Sequence, residues 1–87
     1  MSVGCIPYSQ QACQGAGEIL GLEKGGNGYR SEGDYNIKGC YAYSSGVFKG
    51  RWYYGVNENT TIEQMKEPTR KQGTYRPKGY DCFGNSK

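Results

Sequence analysis

The sequence predicts a small α+β domain stapled by disulfides, with one main helix packed on a twisted antiparallel sheet and a short second helix. Three observations lead there. Four cysteines stand at positions 5, 13, 40 and 82 in a chain of 87 residues that has no histidine. The aliphatic stock is thin, while glycine occurs 15 times and tyrosine nine times. Small residues at helical spacing precede two tyrosine-rich runs that alternate like strands. Ordering a chain of this size costs on the order of 100 kcal/mol. A core so lean leaves the fold marginal without covalent help.

The chain reads as one module over 1–87, with an extended entry at 1–8, a core at 9–82 and a tail at 83–87. The entry carries Cys5 and is broken by Pro7. Ser9 is an N-cap for a helix over 10–20 that ends at Gly21. Ala12, Ala16, Ile19 and Leu20 recur along it at helical spacing, with Cys13 on the neighbouring stripe. Gly15 and Gly17 each weaken such a helix by about 1 kcal/mol against alanine, which makes sense if it lies close on a sheet. Residues 23–28 are turn chemistry. Tyr35–Tyr43 and Val47–Val56 are expected strands of a hairpin around Ser44-Ser45-Gly46. Alternation puts Cys40, Ala42, Trp52, Tyr54 and Val56 toward the helix, and Tyr41, Tyr43, Arg51 and Tyr53 on the other face. Thr60-Thr61-Ile62-Glu63 matches a capping box for a short helix to Lys66, stopped by Pro68. The remainder runs extended to Cys82.

Cysteine spacing separates the sulfur chemistries. Zinc sites use close pairs such as Cys-x2-Cys, and a redox motif needs Cys-x-x-Cys; neither spacing occurs. Two disulfides in an oxidising compartment are the expectation. A helix lying on the first strand sets Cys13 over Cys40, leaving Cys5 to pair with Cys82. Asn59-Thr60-Thr61 fits an N-glycosylation acceptor. The amino end shows no signal peptide and is expected to be a mature start with Met1-Ser2 added. No apolar run approaches the ~20 residues of a membrane helix.

Chemistry-bearing patterns are sparse. The carboxylates form no paired motif, so no catalytic residue is expected and the chain is read as no enzyme. Glu32 and Asp34 lack the EF-hand pattern and are read as a solvated loop; no metal or other cofactor is expected. Gly25-Gly26-Asn27-Gly28 lacks the ending of a phosphate loop. The net charge of +3 is mild, and the thickening at Lys66, Arg70, Lys71, Arg76 and Lys78 reads as a solvated tail, so nucleic acid is not expected. Aromatics are the better lead. Tyrosines beyond what the core hides, with Arg51, form a candidate binding surface at Tyr41, Tyr43, Arg51 and Tyr53.

Several segments, in order, also resemble a small cysteine-containing module of predicted secreted or surface proteins of diatoms and related algae, often found as repeats. They include Gln11-Ala12-Cys13-Gln14, Gly25-Gly26-Asn27-Gly28-Tyr29, Lys38-Gly39-Cys40-Tyr41-Ala42-Tyr43 and Tyr75-Arg76-Pro77-Lys78-Gly79-Tyr80-Asp81-Cys82. The likeness spans most of 11–82. A helix cysteine facing a strand cysteine is more distantly similar to PAN/apple modules, which pack a helix on an antiparallel sheet and bind proteins or carbohydrates; those carry more cysteines in other spacings. The resemblance implies a secreted, modular, disulfide-bonded protein and supplies no catalytic residue. The expected function is a noncatalytic extracellular module that docks protein neighbours, copies of itself included, through an aromatic sheet face. The alternative is a carbohydrate-binding module stacking Tyr or Trp on a sugar ring beside Asn57 or Asn59.

Overall fold

Ser9 begins the first helix as expected: its hydroxyl accepts from the Ala12 N–H at 3.1 Å, and helix α1 spans Gln10–Ile19. The helix ends in a Schellman motif. The Gly21 N–H donates to the Glu18 carbonyl and the Leu22 N–H to the Gly17 carbonyl, with Gly21 at φ 74°, a conformation glycine takes without penalty. The computed structural model describes residues 6–81; Cys5, Cys82, the bridge expected between them, most of the entry and the tail 83–87 lie outside the described residues.

Five strands follow: β1 (Glu23–Lys24), β2 (Glu32–Gly33), β3 (Gly39–Tyr43), β4 (Arg51–Gly55) and β5 (Thr74–Tyr75), with helix α2 (Ile62–Lys66) before the last. The expected antiparallel pairing holds for β3 with β4, in the register Cys40 to Tyr54 and Ala42 to Trp52; β5, read from sequence only as extended chain, also pairs antiparallel with β3. The sheet as a whole is mixed, because β1 and β2 both pair parallel with β4. Two-residue strands carry no periodicity, so Glu23 and Lys24 read as part of a turn and Glu32 as part of a solvated loop, although Glu23–Lys24 and Glu32–Gly33 supply the sheet's outer edge.

The main strands are shorter than the alternation implied. Residues before Gly39 turn instead, with the Lys38 ammonium donating to the Asp34 carboxylate and the Tyr35 carbonyl, both at 2.6 Å. The connection between β3 and β4 occupies 44–50, leaving Val47 exposed. The capping box sits one residue later than expected. The Thr61 hydroxyl accepts from the Gln64 N–H, and the Gln64 side chain accepts from the Thr61 N–H. Thr60 is occupied otherwise: its hydroxyl accepts from the Asn57 N–H and donates to the Asn57 side-chain oxygen.

The core lies between α1 and the sheet, on the face that alternation selected. It contains Ala12, Cys13, Cys40, Ala42, Trp52 and Tyr54, with Met65 from α2 and Tyr80 from the closing loop. Cys13 and Cys40 are bonded in its middle, with both side chains fully buried. Ala12, Cys13, Ala16 and Gly17 form the contact face of α1. Ile19 and Leu20, expected on that stripe, are 66 % and 44 % exposed. Ile19 projects roughly 90° from the centre of the buried face at 100° per residue, and Leu20 is already the cap.

Arg76 clamps the end of α2 to the sheet. Its guanidinium donates to the Cys40 carbonyl and the Glu67 carbonyl at 2.8 Å, and to the Gln64 carbonyl at 3.3 Å. An ammonium cannot reproduce that fork. Arg76→Lys should therefore destabilise the domain by about 1–3 kcal/mol in urea unfolding, although the charge is unchanged.

Candidate functional site

The sheet face opposite α1 carries six rings, from Tyr29, Tyr35, Tyr41, Tyr43, Phe48 and Tyr53. Alternation on β3 and β4 places Tyr41, Tyr43 and Tyr53 there; the loops add the rest. Tyr41 stacks on Tyr53 with ring centres 5.9 Å apart, across the register pair that joins the two strands. Tyr43 and Phe48 meet Tyr53 edge-on at 6.0 and 5.7 Å. Tyr29 closes one side, with its ring 5.5 Å from Phe48 and 6.4 Å from Tyr35. Such tilted contacts suit the ring quadrupole and hold each ring in place.

Together these rings line a shallow cavity of about 320 Å³, completed by Asn36, Ile37 and Lys71. The Lys71 ammonium lies 5.4 Å from the Tyr43 ring centre and 3.3 Å from its hydroxyl. The Tyr53 hydroxyl donates to the Gly26 carbonyl at 2.7 Å, and the Tyr35 hydroxyl to the Arg30 carbonyl at 2.6 Å. Asn27, at φ 57°, donates from its side chain to the Val47 carbonyl, tying the two loops that frame the cavity.

The four residues expected to bind divide into three kinds. Tyr41 and Tyr53 are 5 % and 2 % exposed, so they are the floor of the cavity and packing residues, with no free ring face. Tyr43 stands half-buried at its wall. Arg51 does not line it: its guanidinium donates to the Glu23 carboxylate and the Gly25 carbonyl, each at 2.9 Å, and so anchors the turn after β1. The accessible rings are instead Tyr29, 56 % exposed, and the half-buried Phe48 and Tyr35. These lie in loops, where no alternation shows which way a side chain points.

The other sequence-predicted positions sit elsewhere. Asn59 is exposed in the turn before α2, its N–H donating to the Asn57 side-chain oxygen. Asn57 itself also donates to Asp34 at 3.1 Å, and neither asparagine lines the cavity. Asp34 is held below the usual carboxylate range by hydrogen bonds from Lys38 and Asn57, in a solvated setting. Among the described residues no group of three or more Cys, Asp or Glu side chains is placed to hold a metal ion. Nor is any helix among them long and apolar enough to cross a membrane.

Burial pushes the Tyr41 phenol far up, with the Tyr43, Tyr35 and Tyr53 hydroxyls adding to the effect. Tyr53 and Tyr54 are raised by the same cause, and Tyr80, on the opposite side of the sheet, is pushed up to about 12. The Tyr80 hydroxyl is buried without a well-formed hydrogen bond; the Cys40 backbone and the Arg76 guanidinium offset its burial only in part. Phenols raised above their unfolded value keep their protons longer in the folded chain. Their contribution to stability is whole below about pH 10 and is lost as pH rises from there through the folded values. An alkaline absorbance titration should show these four tyrosines ionising late, and unfolding should accompany the last of them.

No family model matches the chain, and neither a curated protein nor a solved structure matches it.

Proposed function

We propose that this is a noncatalytic extracellular interaction module, and that its aromatic sheet face docks a protein neighbour. One observation carries the reading. Among the described residues no helix covers the face opposite α1, yet it holds six mutually packed rings around an open cavity with Tyr29, Tyr43 and Phe48 at its rim. Rigid aromatic surface gives contact area at small entropic loss, which is why such residues concentrate in interface cores. The disulfide between Cys13 and Cys40 supports an oxidising compartment, as does the resemblance to algal secreted modules. The exposed Asn59 is accessible to glycosylation.

A carbohydrate-binding reading draws on the same cavity, since Tyr29 offers a ring face beside the polar Asn36 and Lys71. The two readings part in one paired experiment. On the first, sedimentation velocity detects self-association, or a cross-linked neighbour is recovered from the natural source, and a glycan array stays blank. Tyr29→Ser with Phe48→Ser abolishes that association. On the second, the array shows a sugar ligand that the same double variant loses. Association or sugar binding that survives both substitutions removes the aromatic face from the account.

A further inference from the structure

A second cleft, of about 260 Å³, shares no lining residue with the aromatic cavity. Lys66, Arg76 and Lys78 line it with Tyr8, Tyr80 and Asp81, so among the described residues that line it three cations stand against one carboxylate, a net of two positive charges. Arg76 spends its donors on three main-chain carbonyls, which satisfy hydrogen bonds but carry no net charge. Glu67 lies near enough to favour the charged guanidinium, yet the two ion pairs among the described residues are Lys38 with Asp34 and Arg51 with Glu23. Lys66 and Lys78 are exposed and in neither of them.

The cleft is held in shape. Tyr8 takes φ 54°, unfavourable for a residue with a side chain, and is kept there by its N–H bond to the Tyr80 carbonyl at 3.1 Å. Its ring meets Tyr80 edge-on at 5.3 Å and carries the Lys66 ammonium 5.5 Å from its centre. Two exposed ammonium groups, a half-buried guanidinium in the same cleft and a tyrosine ring beside them match a compact, hard anion next to a ring. We propose that this cleft binds an oxyanion, a sulfate or phosphate group, either as the free inorganic ion or as an ester borne on a sugar whose ring lies against Tyr8.

The test uses nitrogen-15 NMR of the whole chain in ~50 mM salt, where exposed charges are little screened. The probes are inorganic sulfate, inorganic phosphate, a heparin-derived tetrasaccharide and the same tetrasaccharide desulfated. The proposal expects amide shifts at 66 and 78–81 with a sulfated or phosphate probe and none with the desulfated one. Shifts with the inorganic ions alone identify a free oxyanion as the ligand; tighter binding of the tetrasaccharide identifies a sugar-borne ester. Lys66→Gln with Lys78→Gln, both solvent-exposed, should weaken binding by about tenfold or more. Lys24→Gln with Lys49→Gln, exposed lysines outside this cleft, should leave it within about twofold. Absence of shifts with every charged probe overturns the proposal. So does equal loss in the two double variants, which reduces the effect to overall charge.

Discussion

Replacing Cys13 and Cys40 together by alanine should lower the stability of the domain by about 3–4 kcal/mol and leave much of it unfolded at 37 °C. The two cysteines are separated by 27 positions and are wholly buried at the contact of α1 with β3. Opening that link returns to the unfolded chain the freedom of a long loop. The loss is severe because small domains sit at the low end of the usual 5–15 kcal/mol of net stability. The remaining core is short of aliphatic bulk: Trp52, Tyr54, Met65 and Tyr80 supply most of its volume. Urea unfolding of the oxidised wild type against the double variant, with a much lower midpoint and a steeper slope from the less compact unfolded chain, checks the result. An unchanged midpoint shows that packing alone holds the helix.

Gly17→Ala has the second large effect, and its sign is opposite to the usual one. In an ordinary helix the exchange stabilises by about 1 kcal/mol. Here an added Cβ would stand 2.3 Å from Cδ1 and 2.6 Å from Nε1 of Trp52. That indole is 1 % exposed and cannot swing away. Either α1 lifts from the sheet or Trp52 leaves its place, and overpacking of this kind costs about 1–3 kcal/mol. The melting temperature should fall by about 10 °C, at about 4–8 °C per kcal/mol for a domain of this size, with a changed near-ultraviolet signal from the single tryptophan. Gly17 thus sets how closely the helix approaches, and through that distance the geometry of the Cys13–Cys40 bond.

How much of this was legible in the sequence depends on the range of the interaction. Ser9 and Gly21 mark the limits of α1 because caps are satisfied within one turn of chain. Alternation on β3 and β4 sorted Cys40, Ala42, Trp52 and Tyr54 from Tyr41, Tyr43 and Tyr53, since the period of two survives in strands only five residues long. The pairing of Cys13 with Cys40 followed from those two facts. The parallel edge strands had no signal: Glu23–Lys24 and Glu32–Gly33 bond to β4 as short stretches of turn-like sequence. The capping box slipped by one residue because two adjacent threonines each have an acidic or amide partner three positions on.

The candidate site was half legible. Three of its rings come from strands and were placed on the correct face; Tyr29, Tyr35 and Phe48 come from loops and were not. Arg51 shares that strand parity, but a nearby carboxylate and carbonyl draw its side chain away. Burial of Tyr53 is in part a loop effect, because the Tyr35 and Phe48 rings meet it edge-on from the loops, whereas Tyr41 packs against the strand residues Tyr43 and Tyr53.

The proposed docking of the aromatic face, on the side of the sheet away from the Cys13–Cys40 bond, is best probed by hydroxyl-radical footprinting. The isolated domain and the protein within its natural source would be labelled side by side. Tyr29 and Phe48 should be modified readily in the isolated domain and protected in the native setting, while exposed Ile19 and Ile62, which lie on the helices away from this face, are labelled equally in both. Equal modification of Tyr29 and Phe48 in the two samples would contradict the docking role of the aromatic face.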